Sequence, residues 1–357
     1  MVTTPAADAA APAVPEAFRR GCVIPAHPLA LDRNRRLDER RQRALSRYYL
    51  DAGAGGLAVG VHTTQFAIHE PGRGLLRPVL ELAAETATSH PGEPVLVAGV
   101  CGPTHQAVAE AELAAMLGYH LVLLSPYGAG DLDEDDLLER ARAVGEVLPL
   151  IGFYLQPAVG GRVLSREFWR RLAELDPLAG IKVAPFDRYA TNEVLHGVAW
   201  SGRADRVALY TGNDDHILLD LVTPHRVSAA DGPVDVPFVG GLLGQWAVWV
   251  RRAVELHAAA AAARAGDDAA LRRLVALDPQ LTDANSAIFD AANGFRGCIP
   301  GIHEVLRRQG LLAGRWCLDP DEGLSDGQLA EIDRVWQAYP HLCDDEFVAA
   351  NLDRWLS

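Results

Sequence analysis

The chain has 357 residues and a formal charge of −14, with 49% hydrophobic and 22% charged residues. That acidic balance, with no collected basic face, excludes a phosphate-neutralising nucleic-acid surface, and no apolar run reaches the roughly 20 residues a membrane helix needs. Five scattered cysteines without a CxxC pair offer neither a disulfide framework nor a zinc site.

Residues 1–17 are Ala/Pro-rich and lack a basic n-region and an apolar h-region, so they read as a disordered tail, not a signal peptide, and a cytoplasmic location is expected. From residue 18 to 257, short apolar runs alternate with amphipathic stretches, the pattern of buried parallel strands covered by helices. The strands are expected at 22–25, 56–61, 95–99, 120–124, 150–154, 180–183, 207–211 and 237–241. Helices are expected after Thr104, Asp133 and Ser165, where a hydroxyl or carboxylate can cap exposed amides. Eight alternations predict a (β/α)8 TIM barrel, a fold that takes about 250 residues.

The turn GAGG at 53–56 lacks the strand-before-helix context of a dinucleotide site, so no nucleotide cofactor is expected. Pro, Gly, Ser and Asp in 223–236 mark an inserted loop in the seventh connection, placed to shape the mouth of an active site. Residues 258–357 read as a C-terminal helical unit that packs on the barrel or on another subunit.

Lysine occurs once, at Lys182; all other basic positions are arginine. Arginine cannot shed its proton in a protein, whereas a buried lysine can. The setting LAGIKVAP is an apolar β-type run in which desolvation lowers an amine's pKa, and a neutral amine can attack a carbonyl to give a Schiff base. The competing reading is a compositional accident or a buried partner of a carboxylate such as Asp187.

The segments FYLQPAVGG (153–161) and GIKVAPFDR (180–188) resemble the Tyr-x-x-Pro and Gly-x-Lys motifs of the dihydrodipicolinate synthase/N-acetylneuraminate lyase family. CVIPAHPLALDRNRRLD, LVLLSPYG and LYTGNDDHILLDL are similar to its first, fourth and seventh strand regions, and HEVLRRQGLLAG and SDGQLAEIDRVW to its C-terminal helices. The resemblance implies a homodimeric or homotetrameric lyase or aldolase without a cofactor. Lys182 would form an imine with a 2-oxo acid such as pyruvate, with an aldehyde as the second partner, and Tyr154 would shuttle protons. Gly212, in the seventh-strand motif, would line the substrate site.

The chain departs from that pattern in three places. The family's Gly-Thr-Thr-Gly-Glu is VHTTQF here, which puts Thr63 at the carboxylate-binding threonine with Thr64 beside it, and His62 at the relay threonine. His62 then either transfers protons and holds a substrate hydroxyl or caps the strand. Gly128 stands at the relay tyrosine, leaving Tyr127 as a wall or interface residue. Val159 replaces the arginine that grips the second substrate's carboxylate, with Arg162 displaced from that spot, which argues against dihydrodipicolinate synthesis and leaves Gln156, His62 and the 223–236 loop to read that substrate. Alternatives are a hydro-lyase dehydrating a deoxy sugar acid through the same imine, a metal-dependent barrel using His27, His62 and His69, and a catalytically silent barrel.

Overall fold

The computed structural model describes residues 13–357; most of the expected tail lies outside them. Its last two residues belong to a short helix, Glu16–Arg20. That helix closes the bottom of the barrel: Phe18 is buried, its ring stacks on Tyr210 at 4.6 Å, and its carbonyl accepts the Tyr210 hydroxyl at 2.7 Å. Gly180 makes room for it, since a Cβ there would sit 3.0 Å from the Phe18 ring.

Ten strands are described: β1 Val23–Pro25, β2 Gly56–Val59, β3 Val95–Val100, β4 Leu121–Leu124, β5 Leu150–Leu155, β6 Leu178–Ala184, β7 Ala208–Thr211, β8 Arg226–Ala229, β9 Gly232–Asp235 and β10 Phe238–Leu243. Eight of them form one parallel sheet in the order β1-β10-β7-β6-β5-β4-β3-β2. A parallel bridge between Ala26 and Ala58 and the His27 N–H on the Ala58 carbonyl at 2.8 Å join β1 to β2. The fold is a (β/α)8 barrel with C-terminal helices, as the alternation of elements predicts.

Side chains along the strands part into two cores because successive residues face opposite sides. Inside the barrel lie Ile24, Val97, Leu123, Ile151, Phe153 and Tyr210, among others. Outside it, a larger core joins the strands to the helices and includes Ile181, Val183, Tyr154 and Trp169. Two helices start at the expected caps, Asp133 and Ser165 accepting the Asp136 and Phe168 amides at 2.9 and 3.0 Å, whereas Thr104 is itself the first helical residue after Pro103, where no side chain caps the helix.

The 223–236 segment is a β-hairpin, β8 antiparallel to β9, and it lies at the opposite end from the place expected for it. It connects the helix Ile217–Val222 to the start of β10, so it sits where strands begin, and barrel active sites sit where strands end. Trp200, closing the helix Arg188–Trp200, donates its indole N–H to the Ser228 carbonyl at 2.9 Å, and His225 packs edge-on to Phe238. The hairpin therefore cannot shape the mouth or read a substrate there.

The Ala-rich run 258–264 continues the helix Val250–Arg264, and the separate helices begin with Asp268–Ile288. These reach back over the strand ends. Asn285 donates to the Asp214 carbonyl at 2.6 Å, Asp278 caps the Leu218 and Leu219 amides, and the Leu318 N–H meets Gln65 Oε1 at 2.6 Å. Among the described residues, no helix is long and apolar enough to cross a membrane.

Candidate active site

Lys182 lies in the C-terminal half of β6, paired with Phe153 of β5 and Tyr210 of β7, and its side chain points into the barrel. It is 6% exposed. Its amine stands 4.4 Å from the centroid of the Phe153 ring and makes no hydrogen bond or ion pair within 4 Å among the described residues. Burial lowers its pKa, and the nearby Asp214 carboxyl opposes that shift only in part. Gly212 is required beside it, because a Cβ there would stand 2.8 Å from Lys182 Cε and 2.7 Å from Ala184 Cβ.

The amine opens on a cavity of about 50 Å³ at the strand ends, room for a few waters or a small acid at roughly 10–15 Å³ per water. Its polar lining, besides Lys182, is Asp214, His62, Thr63, Gln156 and Cys298; its apolar wall includes Phe153, Leu155, Val159, Phe186 and Phe289. Among the described residues, no arginine lines it. A larger hollow of roughly 580 Å³, bordered by Arg43, Arg47 and Arg354, lies on the outer helices and shares no residue with this cavity.

The loops carry strain that shapes this cavity. Phe186 takes φ = +54°, a conformation that costs a non-glycine residue about 1 kcal/mol or more. Asn213 Oδ1 holds it by accepting the Phe186 N–H at 3.1 Å, and its ring meets Phe295 of the C-terminal unit edge-on at 5.5 Å. That unit supplies Phe289 and Cys298 to the lining, and burial followed by the Asp214 carboxylate pushes the Cys298 thiol's pKa up.

His62, Thr63, Gln156 and Gly212 all come to the cavity as the sequence leads one to expect. His62 is a neutral imidazole there, its pKa lowered to about 4 by burial and then by Lys182. Thr63 donates its hydroxyl to the Ala26 carbonyl at 2.7 Å and keeps lone pairs to accept with. Thr64 does not line the cavity. Its hydroxyl accepts the Gly60 and Val61 amides and donates to the His27 carbonyl at 2.6 Å, so it holds the end of β2 in place.

Tyr154 is the main correction. It follows Phe153 by one residue and so faces the opposite side of the sheet, in the outer core, with its ring 5.0 Å from Trp169. Burial raises its hydroxyl's pKa and the Leu164 backbone N–H opposes that rise. Phe153 holds the position opposite the amine. Asp187, the carboxylate suggested as a bland partner for Lys182, caps the Ala190 amide of the next helix at 2.8 Å.

Asp214 is the group the sequence reading missed. It lies in NDD after β7, indistinguishable there from its neighbour Asp215, and only the turn through Gly212 and Asn213 aims it into the barrel mouth. Its Oδ1 accepts the Gln245 N–H at 2.8 Å; burial raises its pKa against the pull of that bond and of Lys182.

The three histidines suggested as metal ligands do not converge. His27 is locked by Ser46 Oγ and the Pro28 carbonyl, and His69 meets the Gly60 carbonyl at 2.8 Å. The His, Cys and carboxylate ligand atoms that do approach within 4.8 Å of one another belong to His69, Cys101 and Glu110. There Glu110 already accepts the Cys101 amide and the Gln106 side chain, beside the Arg140 charge, so the group reads as a buttress behind β2 and β3. Arg162 is tied to the Leu132 carbonyl and Tyr127 stacks on Phe66 at 4.4 Å; neither lines the cavity.

No protein-family model matches the chain. Over 186 residues it is 31% identical to an uncharacterized DapA-like lyase of Halobacterium salinarum, a stretch of 51% of this chain and 56% of that protein, so the chain spans about half the length of the curated relatives it matches. Three solved structures cover nearly all of it. N-acetylneuraminate lyase from Fusobacterium nucleatum superposes with a TM-score of 0.69 at 17% identity, over 90% of this chain and 99% of that one. CdNal from Clostridium difficile, solved in complex with mannosamine, gives 0.70 at 18%, over 89% and 99%. Dihydrodipicolinate synthase from Oceanobacillus iheyensis gives 0.69 at 19%, over 91% and 98%. The fold is the one the resemblance to the dihydrodipicolinate synthase/N-acetylneuraminate lyase family implies.

Proposed function

We propose that this chain is a Schiff-base-forming lyase of the dihydrodipicolinate synthase/N-acetylneuraminate lyase class, acting on pyruvate or a related 2-oxo acid through Lys182. The observation that carries this reading is a single buried amine, without a hydrogen-bond or ion-pair partner among the described residues, aimed into a small cavity at the strand ends. A structural lysine in such a place would be paired, because an unpaired buried charge is costly. An amine that has to be neutral to attack a keto carbon gains from the same burial.

The N–H groups of His62 and Thr63, which find no acceptor among the described residues, are the groups suited to the acid's carboxylate. Val159 and the absence of a lining arginine favour an uncharged second partner, and Leu155, Phe186 and Phe289 favour a compact apolar one. His62, neutral near pH 7, serves as a hydrogen-bonding group to a substrate hydroxyl. The reading is tested by incubating the protein with pyruvate and borohydride and mapping the adduct. Pyruvate release from candidate substrates then separates carbon–carbon cleavage from dehydration.

A further inference from the structure

We propose that Asp214 is the general acid–base group of imine formation at Lys182, the role that the sequence assigns to Tyr154. The proposal rests on the Schiff-base reading above and adds to it the residue that moves the proton.

Asp214 is fixed from two sides: its Oδ1 accepts the Gln245 N–H at 2.8 Å and its backbone carbonyl accepts Asn285 Nδ2 at 2.6 Å. The other carboxyl oxygen takes no hydrogen bond among the described residues, and the carboxyl lines the same cavity as Lys182. The two groups are not within 4 Å of each other, because no ion pair joins them, so a reacting oxygen has room between Nζ and the free carboxyl oxygen. The charged or titratable groups facing Asp214 are Lys182 from β6, the adjacent Asp215, and the Cys298 thiol from the C-terminal unit, which burial keeps protonated. His62 shares the cavity, but a pKa near 4 leaves it without a proton to give at neutral pH.

Burial acts on the pair in one direction. It favours the neutral amine beside the protonated acid over the ammonium beside the carboxylate, two arrangements that differ by the position of a single proton. The neutral arrangement is the reactive one. The Lys182 nitrogen lone pair forms the bond to the keto carbon, the carbonyl π pair moves to oxygen, and the amine proton passes to that oxygen to give a neutral carbinolamine. Asp214 then gives its proton to the carbinolamine hydroxyl, the C–O bond breaks, and water leaves. The nitrogen lone pair completes C=N, leaving an iminium cation beside the Asp214 carboxylate with no net change in charge. In reverse, the same carboxylate takes a proton from the attacking water.

The test compares wild type, Asp214→Asn and Asp214→Glu in single-turnover borohydride trapping with pyruvate between about pH 6 and about pH 9. Asp214→Asn should trap about 100-fold more slowly, losing the fall in rate on the alkaline side, and Asp214→Glu should recover rate and restore that fall. A folded Asp214→Asn with the wild-type rate and profile overturns the proposal and leaves the imine standing. No adduct on wild type with any 2-oxo acid overturns both. Should Asp214→Asn fail to fold, an alkaline fall in Asp214→Glu that does not move from its wild-type position overturns the proposal, and one that moves supports it.

Discussion

Phe153 stands beside Lys182 on the neighbouring strand, its ring centroid 4.4 Å from the amine, and its neighbour Tyr154 turns away to pack on Trp169. The hydrocarbon wall this gives the amine works by keeping water off it. A phenol at the same place would have offered the amine a hydrogen bond.

Tyr154→Phe is therefore expected to leave imine trapping and turnover unchanged. Its cost should be confined to stability, at most about 1 kcal/mol for a partly buried hydroxyl, read from a denaturant midpoint. A large fall in turnover with unchanged stability would restore the tyrosine to the mechanism.

Gly212→Ala pushes a methyl into the space occupied by Lys182 Cε and Ala184 Cβ. The lysine chain has to shift, and displacing a reacting group by about 1 Å can cost about 100-fold. Trapping with pyruvate should slow by that order, and the melting temperature should fall modestly, as overpacking of about 1–3 kcal/mol against Ala184 implies.

On the acid side of its maximum the rate of imine formation should rise with pH as the buried Lys182 loses its proton toward about 8, because only the neutral amine attacks, before it falls as Asp214 gives up its acid proton. An exposed lysine, near 10.4, would carry that rise to a pH more than two units higher. Stopped-flow trapping across the range distinguishes them. The same shift bears on stability: between about 8 and 10.5 the unfolded state holds a proton on this lysine that the folded state lacks, so stability rises with pH through that window.

Trp200→Phe removes the indole bond to the Ser228 carbonyl at the strand-start face of the barrel. It should loosen the β8–β9 hairpin, seen as faster amide exchange there, and leave trapping and substrate preference untouched. A changed substrate preference would bring the hairpin back to the mouth.

The architecture was legible in the sequence because buried parallel strands announce themselves as short apolar runs between amphipathic helices, and all eight barrel strands overlap the expected runs. That Lys182 is buried in a barrel strand was legible from the apolar β-type run LAGIKVAP around it. What stayed hidden depends on direction. A one-residue difference decides whether Phe153 or Tyr154 looks inward, and motif spacing does not carry that parity. Asp214 and Asp215 read alike until the Gly212–Asn213 turn separates them. The 223–236 segment looks like a mouth insertion until its place between a helix and the next strand puts it at the other end.

The most direct measurement is borohydride reduction of the protein in the presence of pyruvate, followed by peptide mass spectrometry on wild type and Lys182→Arg. One reduced adduct is expected on the peptide containing Lys182, and none on the folded arginine variant. An unmodified Lys182 after reduction with any 2-oxo acid, or an arginine variant with full activity, would contradict imine formation at Lys182.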